Sequence, residues 1–282
     1  MKSILITGKN SYIGTSLENW LMRELDQYKV DTVDMRDGSW KEKDFSQYDV
    51  VFHVAGIAHI KETHDNQDLY YKVNRDLAYV TAQKAKEDGV EQFIFLSSMS
   101  VYGIENGVID KNTHLKPNSA YGKSKVEAEE LINKMLDGSF VVATLRPPMV
   151  YGKGCRGNYP RLAGLALKTP IFPNLDNKRS MIYIDNLSEF VKQLIDNRSG
   201  GLFFPQNAEY VNTSEMVKLI AEAHGKRVRM TKLFNPLLSS LNVSTVNKVF
   251  GDLVYDMSMS DYEFDYRVCG FRESIKVTEG EV

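Results

Sequence analysis

Short apolar runs that stop at a glycine or turn alternate with helix-period segments through the first half of this chain, and that alternation leaves few folds open. Ser3 to Thr7 ends at Gly8 and reads as a buried strand. Leu17, Leu21 and Leu25 then recur at helical spacing with Trp20 on the flank, which predicts an amphipathic helix from about Tyr12 to Gln27. Further strands are expected over Lys29 to Asp34, Asp49 to Val54, Gln92 to Ser97 and Phe140 to Leu145. The helices between them carry Leu69, Val73, Leu77 and Val80 and, from near Ala120, the inward set Ala128, Leu131, Ile132 and Met135. Phe93-Ile94-Phe95-Leu96 has no polar alternation, as expected of a strand buried on both faces. Together these predict an α/β fold with a parallel sheet covered on both sides. After Leu145 the pattern loosens around Arg146-Pro147-Pro148 and Gly152-Lys153-Gly154, so a smaller second region is expected from near Tyr151.

Composition narrows the function classes. A formal charge of −2 and a pI near 6.2 over 282 residues give no sign of a nucleic-acid-binding protein. Two cysteines, Cys155 and Cys269, cannot build a disulfide framework, which points to a reduced, cytoplasmic setting. The N-terminal apolar run is too short for a signal peptide, and no stretch reaches membrane-spanning length. Leu233 to Leu241 is apolar in places but interrupted by Asn235, Pro236, Ser239 and Ser240, and reads as surface or core packing, with contact to a membrane surface as the lesser alternative. His53, His59, His64, His114 and His224 show no ligand spacing with cysteines or carboxylates, so no metal is expected.

Four segments carry candidate chemistry. Thr7-Gly8-Lys9-Asn10-Ser11-Tyr12-Ile13-Gly14 lies between the first strand and first helix, where a dinucleotide pyrophosphate would meet a helix N-terminus. Gly8 suits a tight turn and Gly14 a close helix–sheet approach, while Ser11 puts a side chain where a third glycine would ease backbone contact with phosphate. Asp34, ending the second strand, can accept from a ribose 2′-hydroxyl as in NAD, whereas Arg36 could pair with the 2′-phosphate of NADP. Val54-Ala55-Gly56 closes the third strand with small residues against which a flat cofactor could lie. Tyr121 and Lys125 sit one helical turn apart, about twenty residues after Ser97-Ser98. About one Tyr-x-x-x-Lys is expected by chance in such a chain, so its position after the fourth strand is what gives it meaning. An ammonium beside a phenol lowers the phenol's pKa and suits it to proton exchange between an alcohol and a ketone.

In this order and spacing the segments resemble the extended short-chain dehydrogenase/reductase family of nucleotide-sugar epimerases, dehydratases and 4-keto reductases. The resemblance runs through Thr7-Gly8-x-x-x-Tyr12-Ile13-Gly14, Val54-Ala55-Gly56, Ser97-Ser98-Met99-Ser100-Val101-Tyr102-Gly103, Tyr121 to Lys125, Arg146-Pro147 and Arg179 to Asp185. It implies a Rossmann-type doubly wound sheet over residues 1–150 that binds NAD(H) or NADP(H). It also implies a smaller region, 151–282, that binds a UDP-sugar, with part of 181–204 returning to the first domain. By the same resemblance Ser98 binds the oxygen at C4, with Ser97 or Ser100 as rival hydroxyls. Tyr121 exchanges its proton, and Lys125 also holds the nicotinamide ribose. Asn74 lies near the site, and Arg179 and Asn158 contact the nucleotide phosphates. Arg227 and Arg229, by their own sequence, read as a solvated basic turn, with diphosphate contact as the lesser alternative. Dehydratases of the family carry an acidic pair after the catalytic hydroxyl residue, where this chain has Met99 and Ser100, which argues against 4,6-dehydration. Arg146 to Gly152 and Gly157 to Leu162 resemble bacterial surface-polysaccharide reductases of UDP-4-keto-6-deoxy-N-acetylhexosamines. 4-Epimerisation is the alternative, and a non-catalytic dinucleotide sensor a third. The family also implies a homodimer.

Overall fold

The computed structural model describes residues 1–58, 60–233, 235 and 250–280. His59 and most of the Leu233 to Leu241 stretch lie outside the described residues. The first half runs β1 (Lys2–Thr7), α1 (Tyr12–Leu21), β2 (Tyr28–Val33), β3 (Val50–His53), α2 (Gln67–Tyr70), α3 (Leu77–Glu87), β4 (Gln92–Leu96), β5 (Gly107–Ile109), α4 (Ala120–Asn133) and β6 (Val141–Leu145). It continues with β7 (Met149–Tyr151), α5 (Asn158–Lys168), β8 (Ile171–Pro173), β9 (Met181–Tyr183), α6 (Ile184–Asp196) and β10 (Gly201–Phe203). The last elements are α7 (Thr213–Ala223), β11 (Arg229–Thr231), β12 (Leu253–Tyr255) and a final helix, α8 (Phe271–Glu279).

The central sheet has the order β10-β6-β4-β3-β1-β2 and is parallel throughout. Strand order reverses beside β1, which opens a crevice at the C-terminal ends of β1 and β3, the usual ligand position in such sheets. One face is covered by α1 and α6, through Leu17, Leu21, Leu187, Val191 and Leu194. The other is covered by α3 and α4, through Ala78, Ala82, Ala85, Ala128 and Ile132. Each large aliphatic buried in this way contributes about 1.5–3 kcal/mol. A third core lies between α5, α7 and α8, built on Tyr159, Leu162, Phe172, Val217, Ile220, Phe271 and Ile275. β10 joins the central sheet beside β6 although α5 and β8, which precede it, pack in the third core.

Two sequence expectations need correction. The first helix stops at Leu21 and continues only as a 3-10 turn over Met22–Glu24, leaving Leu25 64% exposed. Its helical spacing coincides with a leucine that the turn into β2 carries outward. The stripe Leu69, Val73, Leu77 and Val80 is not the buried face either, because Leu69 and Val80 are exposed while Tyr70, Asn74 and Ala78 are buried. A π-helical segment over Tyr71–Asp76 joins α2 to α3 and alters the register that a 3.6-residue period assumes.

Candidate active site

The loop after β1 is held by two bonds onto β2, with Gly8 and Lys9 amides donating to the Val33 carbonyl at 2.9 and 3.0 Å. Gly8 has φ +90°, and a Cβ there would stand 3.1 Å from the Ala55 backbone. Ala55 of the small-residue motif therefore packs on the glycine of the first loop. Ser11 has φ −73°, an ordinary extended conformation, so it does not distort the turn. Its hydroxyl fills the space over Gly14, where an added Cβ would stand 2.5 Å from Ser11 Oγ, and it is buried without a hydrogen-bond partner. No acidic residue occupies the first turn of α1, whose opening amides have no intrahelical acceptor. An orphaned hydroxyl, a cradle closed by Gly8 and a helix N-terminus fit an anionic pyrophosphate. The Tyr12 hydroxyl, also buried and unpartnered, wedges against Gly152, and burial raises its pKa.

At the end of β2, Asp34 and Arg36 pair with each other, the guanidinium Nε lying 2.9 Å from Oδ1. That contact holds the Asp34 carboxyl down at about 2. The two groups expected as alternative ribose and phosphate ligands thus form one exposed ion pair.

Ser98, Tyr121 and Lys125 meet at the C-terminal end of β4. Ser119 caps α4, its hydroxyl accepting from the Gly122 amide at 3.1 Å, which fixes Tyr121 in the first turn. Gly122 lets that turn approach the Ser98–Ser100 turn, because a Cβ there would lie 2.7 Å from the Ser100 carbonyl oxygen. The Ser98 hydroxyl accepts from the Ser100 amide at 3.1 Å and hydrogen-bonds Tyr121. Buried Lys125 donates to the Leu96 carbonyl at 2.7 Å, and its ammonium lies 4.8 Å from the centre of the Phe95 ring. Burial pulls its pKa down to about 8. The expected depression of Tyr121 is not found. Burial raises the phenol's pKa, the Ser98 hydrogen bond only partly opposing it. The lysine spends its directed contact on the strand carbonyl, so desolvation dominates.

The rival hydroxyls separate by direction. Ser97 is buried and donates to Glu129 on α4, facing away from Tyr121, while Ser100 shares the Ser98 turn. Glu129 also takes the Arg146 guanidinium, at 3.0 Å to Nε, and Arg146 reaches the Tyr102 hydroxyl at 3.0 Å. Arg146 of the Arg-Pro signature is therefore a buried brace behind the site. The motifs do not single out Glu129, although its place one turn beyond Lys125 on the same helix is a usable signal. Asn74, fully buried in the π segment, grips Ile57, accepting from its amide at 2.9 Å and donating to its carbonyl at 3.1 Å. It shapes the loop after β3 with its side-chain amide already occupied. His53 is structural: it is buried, bonded through Nδ1 to Thr7 Oγ1 at 2.9 Å, and its Nε2 has no partner among the described residues. Burial and the nearby Lys125 keep it neutral, with a pKa near 3.

The expected phosphate contacts both follow β7 in the chain. Asn158 opens α5, after Gly157 at φ +96°. Arg179 bridges Val211 and Leu253 through its backbone, and its Nη1 donates to the Gly251 carbonyl at 3.0 Å. Arg227 and Arg229 are exposed around β11, apart from the serine–tyrosine cluster. No described helix is long and apolar enough to cross a membrane.

Residues 4–203 match the model of the NAD dependent epimerase/dehydratase family. The chain is 30% identical over 292 residues to UDP-glucose 4-epimerase of Vibrio cholerae, covering 91% of this chain and 88% of that protein. It is 26% identical over 254 residues to the N-acetyl-α-D-glucosaminyl-diphospho-ditrans,octacis-undecaprenol 4-epimerase of Escherichia coli O157:H7, over 83% and 76% of the two chains. The fold matches that of UDP-glucuronic acid 4-epimerase from Bacillus cereus, solved with NAD, at a TM-score of 0.74 and 19% identity, covering 98% of this chain and 97% of that one. The chain belongs to the NAD dependent epimerase/dehydratase family and is a sugar-nucleotide enzyme of the extended short-chain dehydrogenase/reductase type that uses NAD(H) or NADP(H).

Proposed function

We propose that the protein interconverts alcohol and ketone at C4 of a UDP-hexose, and that its net reaction is 4-epimerisation. The observation that carries this reading is the convergence of Ser98, Tyr121 and Lys125 beside the Gly8–Gly14 loop. The two long sequence matches to 4-epimerases favour epimerisation over one-way reduction. When bound, the nicotinamide supplies the hydride acceptor and donor at C4. Ser98 donates a hydrogen bond to the C4 oxygen, and Tyr121, in its phenolate form, takes the hydroxyl proton as the ketone forms and returns it when the ketone is reduced. Lys125 holds positive charge near the phenol and orients the cofactor ribose. Gly8, Ser11, Tyr12, Ile13 and Gly14 would hold the pyrophosphate, Asp34 the adenine ribose, and Val54, Ala55 and Gly56 would take the flat nicotinamide. Arg179 and Asn158 hold the sugar-carrying diphosphate in the smaller lobe. Met99 and Ser100 supply no acid or base for water removal.

One observation favours a second reading, reduction of a UDP-4-keto-6-deoxy-N-acetylhexosamine for surface polysaccharide. Burial raises the Tyr121 pKa, which favours the protonated phenol that gives a proton to a ketone oxygen. Incubation with UDP-glucose, UDP-N-acetylglucosamine and a 4-keto derivative, with and without added NADH or NADPH, separates the two. Conversion of an unmodified sugar without net cofactor use supports epimerisation. Stoichiometric NAD(P)H consumption with the keto sugar alone overturns it in favour of reduction.

The protein pairs as a homodimer through the outward faces of α2, α3 and α4, where Leu69 and Val80 stand 41% and 39% exposed. Sedimentation of Leu69→Asp/Val80→Asp tests this, a dimer falling to a monomer being the expected result and an unchanged mass the contrary one.

A further inference from the structure

The overall charge of −2 conceals a separation. Residues 153–175 and 224–235 contain Lys153, Arg156, Arg161, Lys168, Lys226, Arg227, Arg229 and Lys232 and no aspartate or glutamate. All eight cations are exposed, and among the described residues none pairs with a carboxylate. Some cations elsewhere are held by carboxylates, as Lys192 is among Glu24, Glu189 and Asp196.

The two segments form one surface. β8 and β11 pair with Ile171 opposite Arg229, and the Arg229 amide donates to the Pro170 carbonyl at 2.8 Å. Lys226 Nζ donates to the Leu167 carbonyl at 3.0 Å, joining the turn before β11 to the end of α5. On α5 itself Leu162 and Ala166 face inward, while Arg161, Leu165 and Lys168, at helical spacing, face out. Among these cations project three aliphatic side chains, Leu165 at 46% exposure, Ile171 at 43% and Leu233 at 80%.

From this juxtaposition we propose that the outer face of α5 with β8 and β11 docks on an anionic lipid bilayer. Exposed cations gain from the negative surface potential of such a membrane, and projecting aliphatics gain from the headgroup–acyl boundary. An acidic protein or a nucleic acid would use the cations and leave Leu165, Ile171 and Leu233 in water. α5 runs from Asn158, the residue proposed to hold the substrate diphosphate, and is about 16 Å long. Docking would therefore hold the sugar-binding lobe close to the membrane surface. The proposal does not depend on which C4 reaction the enzyme performs.

The test is co-sedimentation of the whole protein with vesicles of phosphatidylcholine alone and of phosphatidylcholine mixed with phosphatidylglycerol. Wild type is expected to bind the mixed vesicles, with binding weakening as salt rises. Each surface cation contributes about fivefold to partitioning, so Arg161→Glu/Lys168→Glu should weaken it by at least about 25-fold. Leu165→Ser should weaken binding while leaving its salt dependence in place. Turnover of a soluble UDP-sugar by the double variant should equal wild type, which separates failure here from failure of the C4 reading. Absence of wild-type binding to mixed vesicles overturns the proposal, as does double-variant binding equal to wild type. A changed oligomeric mass in the double variant with unaltered vesicle binding overturns it in favour of contact between copies of the chain.

Discussion

Gly122→Ala sets two physical effects of opposite sign against each other. Alanine is favoured over glycine inside a helix by about 0.8–1 kcal/mol, so propensity alone predicts a more stable protein. The added Cβ, however, would stand 2.7 Å from the Ser100 carbonyl oxygen and 3.0 Å from Pro117 Cβ. Neither the carbonyl nor the proline ring can swing aside as a flexible side chain could. The first turn of α4 must withdraw by roughly half an ångström, and overpacking of this kind costs about 1–3 kcal/mol. The net expectation is a loss of about 1 kcal/mol, read as a lower urea midpoint at unchanged m-value. The same withdrawal moves Tyr121 from Ser98. Since a 1 Å misplacement can cost about 100-fold in rate, half of that should lower kcat by about tenfold. Cofactor content, which depends on the loop at α1, should not change. A variant of raised stability and kcat within twofold of wild type would refute the argument that Gly122 sets the approach of helix to serine turn.

Other substitutions probe the same construction. Glu129→Ala strips the buried Arg146 guanidinium and the Ser97 hydroxyl of their shared acceptor and should cost about 3–5 kcal/mol in chemical denaturation; a loss under about 1 kcal/mol contradicts the bracing role. Lys125 gives a pH signature in the cofactor-free protein. Its folded pKa of about 8 lies below the ordinary 10.5, so below pH 8 folded and unfolded chains both hold the proton and the full desolvation cost stands. Between about 8 and 10.5 the folded chain releases the proton first, and stability should rise with pH by up to about 3 kcal/mol relative to Lys125→Met. A constant difference between the two proteins across that window excludes the depressed pKa. Asp34→Ala should raise affinity for NADP(H) relative to NAD(H) by about tenfold, because it frees Arg36 for a 2′-phosphate; an unmoved ratio of dissociation constants removes Asp34 from ribose recognition.

The sheet is legible in the sequence because β3 and β4 are nearly continuous apolar runs, and burial on both faces leaves no other reading for Phe93 to Phe95. Helix faces are less so. Leu69 and Val80 repeat at helical spacing on the outward side, and no local signal announces the π segment that places Asn74 inward. The motif spacing brings out Tyr121, Lys125 and Ser98, since those positions are set by a single strand–helix unit. Electrostatics cannot be read from the same spacing. Residues i and i+4 share a face, but Lys125 is engaged by the Leu96 carbonyl, a partner 29 residues upstream, and Tyr121 is left to its burial. Ser11 stands as an obstacle to phosphate in the sequence, yet it turns its hydroxyl over Gly14 in the structure. Direction, not residue type, decides that case, and direction is a tertiary property.

Proton exchange at Tyr121 is the step on which the whole functional account rests, and Tyr121→Phe tests it with one atom. The variant should keep its melting temperature and its bound cofactor. Its turnover at C4 should fall by about 100- to 10,000-fold, the contribution expected of a positioned acid–base group. Turnover within a few-fold of wild type, with the phenylalanine verified, would contradict the account.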